Sequence, residues 1–288
     1  ENVQDFPGFG VDWTANLREF SGKIDFEYYL NPRSTLYFGL HNSFRTFRPG
    51  NFTPTNEESI FEEIGLDKQF AWDNALYISN KLDLSDRLSL EYGLRLSRFA
   101  QVGEATVFTY EEVETPEQKV NSRIIDTTYY ESGEEIVSFL NPEPRLSARY
   151  KTGVNSSLKF SYNRMVQYVH QMVTGTSPLP IAVWQPSTTH IDPQIADQIA
   201  AGYFRNFNKN TYETSVEVYY KWMEDIVDFR DNAQVFFNEN LPLELLPGKS
   251  TSYGAEFLLR KTKGKLTGWL SYTWSKTMRE IPGINNGQ

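Results

Sequence analysis

Residues 74–100, NALYISNKLDLSDRLSLEYGLRLSRFA, decide the fold. Leu88, Leu90, Tyr92, Leu94 and Leu96 alternate with Ser89, Glu91, Gly93, Arg95 and Ser97. One side of the segment is apolar and the other is charged or small, and a repeat of two is that of a strand, not a helix. Leu84-Ser85-Asp86 reverses the chain between this strand and the one before it, so the stretch reads as a hairpin.

The same unit recurs outward in both directions. Asn16–Leu30 and Thr35–Phe44 flank the turn Asn31-Pro32-Arg33-Ser34, and Lys68–Leu82 enters the hairpin that Arg87–Ala100 leaves. Phe139–Lys151 and Ser157–Val169 flank Gly153-Val154-Asn155, and Gln194–Asn206 and Tyr212–Phe229 flank Asn208-Lys209-Asn210. Lys249–Lys261 and Lys265–Arg279 flank Thr262-Lys263-Gly264. That makes about ten strands, with four of the five tight turns carrying Asn, Gly or Pro.

Between the hairpins lie four long stretches without sustained alternation, 46–67, 101–138, 170–193 and 230–248. Gln101–Ser138 carries nine acidic side chains (Glu104, Glu111, Glu112, Glu114, Glu117, Asp126, Glu131, Glu134 and Glu135) against Lys119 and Arg123. It reads as a solvated loop from which Val107–Val113 and Ile124–Tyr130 project as a small hairpin. Short and long connections alternate strictly. A soluble sandwich has no reason to gather every short connection at one end, whereas an outer-membrane barrel has short periplasmic turns and long extracellular loops.

Composition agrees. Of 288 residues 39% are hydrophobic, below the usual globular share, yet 15% are aromatic, with 17 Tyr, 20 Phe and 6 Trp. Aromatic girdles on a barrel use such a mixture better than a packed interior does. No apolar run approaches the roughly 18 residues a spanning helix needs. The net charge of -9 argues against nucleic acid as a partner. With no cysteine there is no disulfide, thiolate metal site or Cys nucleophile. His41, His170 and His190 have no metal-ligand spacing, so neither metal nor cofactor is expected. The fold expected is all-β, a transmembrane antiparallel β-barrel domain over residues 1–288.

With the tight turns in the periplasm, the first strand descends and the last ascends, so both ends fall outside the cell. The expectation is an internal section of a larger barrel. Asn51-Phe52-Thr53 and Asn155-Ser156-Ser157 match the N-glycosylation pattern by chance.

The residues 28–36 (YYLNPRSTL), 141–150 (NPEPRLSARY), 184–187 (WQPS) leading to 191–198 (IDPQIADQ), and 246–249 (LPGK) to 253–256 (YGAE) followed by 266–273 (LTGWLSYT) together resemble TonB-dependent receptors of the outer membrane in the style of Bacteroidetes. That resemblance implies a 22-stranded barrel with an N-terminal plug, of which about ten strands are here, and without plug, coupling motif or closing strand. It implies active uptake of a nutrient powered by the inner-membrane TonB complex acting on the plug. It also implies contact with outer-membrane lipid and a surface lipoprotein that lids the barrel.

His170, Trp184 and His190 share one expected extracellular loop and are the candidates for ligand contact. Glu91 and Arg95, like Glu256 and Arg260, sit four apart on the polar side of one strand, expected to face the lumen in ion-pair ladders or against a plug. No nucleophile or base accompanies them, and no G-x-S-x-G, P-loop or dinucleotide fingerprint occurs, so no enzyme is expected. The alternatives are a complete ten-stranded outer-membrane enzyme, which needs Asp and His paired on one rim, a passive porin, and a soluble glycan-binding sandwich.

Overall fold

The computed structural model describes residues 11–54, 64–114, 119–173, 182–233, 238 and 241–284. The middles of the four long connections and the terminal residues 285–288 lie outside them, including part of the acidic stretch around Glu117. The wall is one antiparallel sheet. In chain order its strands are β1 (Val11–Asn31), β2 (Ser34–Pro54), β3 (Ile64–Gly65), β4 (Gln69–Asp83) and β5 (Leu88–Val102). The hairpin β6 (Ala105–Glu114) and β7 (Lys119–Tyr130) follows, then β8 (Glu135–Gly153) and β9 (Ser156–Gln167). A second hairpin, β10 (Val169–Val173) and β11 (Ala182–Pro186), precedes β12 (Gln194–Phe207), β13 (Tyr212–Phe229), β14 (Leu245–Lys261) and β15 (Gly268–Glu280). The sheet order is β1-β2-β4-β5-β8-β9-β12-β13-β14-β15, with β3 on β2, while β6–β7 and β10–β11 form separate two-stranded sheets. Every wall strand thus pairs with its sequence neighbour in the wall, as an up-and-down barrel requires.

The expected strands are all present, several of them longer. β2 is the main correction, because it runs to Pro54 through a stretch read as loop. Asn51–Pro54 pairs with Val11–Thr14, and a register shift between Thr14 and Asn16 falls opposite Pro49-Gly50. The bulge absorbs the proline, which has no N–H to give to the ladder. β14 likewise starts at Leu245 rather than Lys249, because Leu245–Gly248 continues the ladder with Ile226–Phe229. Lys265 precedes the last strand, which begins at Gly268. The Asn208-Lys209-Asn210 turn has φ of 47°, 53° and 61°, the left-handed region that asparagine tolerates better than most residues.

The apolar side of the main sheet faces outward and is bare. Phe20 is 84% exposed, Leu76 64% and Leu270 70%. In water so broad an apolar belt would be untenable; in a bilayer it is the lipid contact. Aromatic rings bound the belt. Phe44 packs on Trp72 and Phe70, and Tyr220, Trp222, Tyr253 and Trp274 form a chain of ring contacts at 5.9–6.3 Å across β13, β14 and β15. Tyr220 shares a cross-strand row with Asn80 through Tyr92, Leu146, Tyr162 and Ile199, eight residues below Trp72. The girdle therefore drops about 26 Å along the strands over five strand spacings of about 4.8 Å, a tilt of about 45°. On β1 the belt runs from Phe20 to Tyr28, and on β13 from Trp222 to Tyr212. At that tilt the belt is about 20–25 Å tall, matching a bilayer's apolar core.

Polar groups at the upper edge of the belt are paired. Asn42 donates to Asn74, and Arg164 forms two bonds to Asp197, at 2.9 and 2.8 Å, while the Tyr162 hydroxyl donates to the same carboxylate at 2.6 Å. Mutual satisfaction is what an apolar surrounding demands of such groups.

The opposite face is polar. Gly39 there lies between Asp25 and Tyr77, and the Tyr77 ring crosses it so that the hydroxyl donates to Asp25. A Cβ at Gly39 would stand 2.5 Å from the Tyr77 oxygen, so the bridge needs glycine.

Candidate functional site

The wall's buried side chains gather at one level of the polar face, near the end with the long connections. Phe47 of β2, Ala71 of β4 and Phe99 of β5 are fully buried there around Tyr168, with Leu17, Phe139, Val166, Val169 and Trp184 packed against them. Tyr168 follows the last residue of β9 and stacks on Phe99 with ring centroids 4.9 Å apart. Its hydroxyl lies 2.8 Å from the Ser97 Oγ and accepts from the Asn141 amide at 3.0 Å. This one side chain pins the chain to the inner wall as it leaves β9.

The β10–β11 hairpin, unforeseen in a stretch read as loop, grows from that anchor and lies against β1 and β2. Five-residue strands, one ending in Pro186, are too short for alternation to declare itself. His170 in β10 is buried beside Ser187, 3.2 Å from its hydroxyl, and burial pushes its pKa down to about 4. Trp184 serves as part of the hydrophobic anchor.

Beyond β11 the backbones of Thr188 and Ile191 bond each other, closing a tight turn around His190. His190 Nε2 is 2.8 Å from the Phe108 carbonyl oxygen. A carbonyl only accepts, so Nε2 carries the proton. The ring stands edge-on to Tyr110 at 4.8 Å. These contacts tie the β6–β7 hairpin to the 188–191 turn, and a cavity of about 270 Å³ lies between them and the wall. Gln69, Gln101, Gln185, Thr188, Tyr110 and His190 contribute to its lining. Gln185 donates to the Gln69 amide oxygen at 3.3 Å, linking the hairpin to β4.

Of the three loop candidates, His190 reaches this cavity, whereas His170 and Trp184 lie behind it. The glutamines and Tyr168 carried no signal in the sequence, since a lone Gln in an alternating strand looks like any polar position. Glu91 and Arg95, like Glu256 and Arg260, are not paired with each other, because side chains four apart on one strand are about 13 Å distant. Arg95 and Arg145 both approach Glu143, at 3.5 and 3.6 Å, and Arg260 approaches Glu213 at 3.8 Å. Arg45 bridges Glu19 and Asp73 at 2.9 and 2.7 Å. Glu91 is in register with Lys81 and Ser147, and Glu256 with Glu217.

A family model described as TonB dependent receptor-like, beta-barrel, matches residues 3–288. The chain belongs to the TonB-dependent receptors. It is accordingly an outer-membrane protein of Gram-negative bacteria, and its exposed belt is the lipid-facing surface of a receptor barrel. Solved receptors show the same wall. The FrpB iron transporter from Neisseria meningitidis, F3-3 variant, aligns at 13% identity over 94% of this chain and 37% of its own, with a TM-score of 0.59. The copper transporter OprC aligns at 11% identity over 97% of this chain and 42% of its own, with a TM-score of 0.62. Pseudomonas aeruginosa FpvA, solved with pyoverdines, aligns at 14% identity over the whole chain and 36% of its own length, with a TM-score of 0.58. The TonB-dependent receptor chain described here thus spans about two fifths of the length of these structures. A comparison with curated protein sequences returned no match.

Proposed function

We propose that this TonB-dependent receptor barrel serves active uptake of a nutrient across the outer membrane, with the cavity among Gln69, Gln101, Gln185 and His190 as the place where ligand is first held. The observation that carries the proposal is the folded-in mouth. One side chain, Tyr168, anchors the β10–β11 hairpin on the inner wall, and the 188–191 turn and β6–β7 hairpin close a cavity above it. Energy would come from the inner-membrane TonB complex acting on a plug within the barrel. A lipoprotein lid would meet the β6–β7 hairpin, where Ile125 and Tyr129 stand exposed.

The test is growth of a Gram-negative host on limiting nutrient, with the whole receptor as sole route of entry. The expected result is accumulation that a protonophore abolishes and that Tyr168→Ala reduces. Accumulation indifferent to the protonophore would overturn active uptake in favour of a passive channel.

A further inference from the structure

The mouth cavity is chemically narrow. Four primary amides, Gln69, Gln101, Gln185 and Asn238, line it, and Gln101 and Gln185 are 6% and 4% exposed. Thr188 and Tyr110, both buried, and Thr106 and Thr189 add hydroxyl groups, and His190, whose Nε2–H goes to Phe108, adds an Nδ1 acceptor. Among the described lining residues the charged side chains are Asp67 and Lys68, adjacent in sequence, opposite in sign and exposed at the rim. The floor therefore carries no net charge.

Gln101 is the telling residue. It sits on β5 one residue before the strand ends at Val102, paired on both sides, with Ala71 and Val137. Its side chain is buried against the cavity and makes no hydrogen bond among the described residues. A primary amide offers one acceptor and two donors, and those of Gln101 open onto the cavity, where a ligand can meet them. Gln185, which donates one N–H to Gln69, keeps its carbonyl oxygen and second N–H in hand, and Gln69 keeps its amide hydrogens.

We infer that this cavity recognises an uncharged, polyhydroxylated ligand, a neutral saccharide, through the amides of Gln69, Gln101 and Gln185. The inference rests on the reading of the mouth as the ligand-capture site. Each sugar hydroxyl both donates and accepts, so adjacent hydroxyl pairs match the donor and acceptor of an amide, and the ring's C–H face fits the Phe108 wall beside them. An anionic or cationic ligand would surrender its hydration without meeting a counter-charge. The volume suits one ring, such as the end unit of a chain that continues out through the open mouth.

The experiment is calorimetric titration of the purified full-length receptor in detergent with maltotriose, cellotriose, xylotriose and chitotriose, against trigalacturonate and ferric citrate. At least one neutral trisaccharide should bind, and trigalacturonate should bind at least tenfold more weakly. Gln101→Leu, which keeps the volume and removes only the amide, should weaken that binding about tenfold. Heat-dependent gel mobility confirms that the variant barrel is folded. Failure of all four neutral sugars overturns the inference, and so does binding unchanged in Gln101→Leu. If ferric citrate is instead bound and accumulated at the expense of proton-motive force, the saccharide inference falls while active uptake stands. If saccharide binds with the Gln101 dependence and enters independently of energy, the ligand class stands and active uptake falls.

Discussion

Replacing Leu76 by arginine tests the lipid-facing wall with a calculable penalty. Leu76 is 64% exposed on β4, in a cross-strand row with Leu40 and Leu96. On this strand the girdles pass near Trp72 and Leu82, so Leu76 and Ile78 straddle the midplane. An arginine at the midplane of a barrel's outer face costs about 2–4 kcal/mol, falling to about 0–1 kcal/mol at the interface. Leu76→Arg should therefore lower the folding equilibrium constant about 30- to 700-fold, and Leu82→Arg by less than about 5-fold. Ser79→Arg, on the polar face of the same strand, should change little, since the new cation stays in water. The assay is urea unfolding of the receptor folded into phosphatidylcholine vesicles. A Leu76→Arg loss within about 0.5 kcal/mol of that for Ser79→Arg would refute the assignment of faces.

The mouth and the wall give three further outcomes. His170 is neutral in the fold with its pKa at about 4, below the ordinary value of 6.5. The unfolded hairpin thus binds the proton first, and stability present above pH 6.5 is lost as pH falls toward 4, by up to about 3 kcal/mol; the protection factors of the β10–β11 amides, with the intrinsic pH dependence of exchange divided out, should fall over that window in the wild type and not in His170→Phe. Trp184→Ala removes a ring from the anchor around Tyr168 and should cost the hairpin about 3 kcal/mol, read as faster proteolysis between β10 and β11 with the barrel itself intact. Gly39→Val places carbon against the Ile24 carbonyl and the Tyr77 ring and should destabilise the β1–β2–β4 wall by about 1–3 kcal/mol, whereas Gly22→Val, with open space around it, should cost less than about 1 kcal/mol.

The wall was legible because period-two alternation survives in strands whose two faces meet lipid and water. Leu88–Leu96 and Val216–Trp222 announce both strand and face. The strand extension Phe47–Pro54 was not legible, since above the membrane nothing enforces alternation and Pro49-Gly50 reads as a turn unless the bulge opposite is known. The mouth was harder still. His190 was picked out by residue type and does reach the cavity, but His170 and Trp184 share its loop and are spent on packing and burial. The glutamines that line the cavity come from β4, β5 and β11, with Gln69 and Gln185 lying 116 residues apart in the chain, and only the tertiary fold brings them together. Ion pairs were expected on the polar face. Their partners follow from register, which sets Arg95 beside Glu143 and Arg260 beside Glu213.

The lack of cysteine in these 288 residues makes the most direct test simple. Single cysteines at residues 75–80 of β4, each spin-labelled in receptor-containing vesicles, report collision with oxygen, which concentrates in lipid, and with a water-soluble nickel chelate. A lipid-facing wall predicts that oxygen contact rises and falls with a period of two, highest at positions 76 and 78, with low nickel contact there. Equal access at neighbouring positions, or nickel contact highest at 76 and 78, would contradict it.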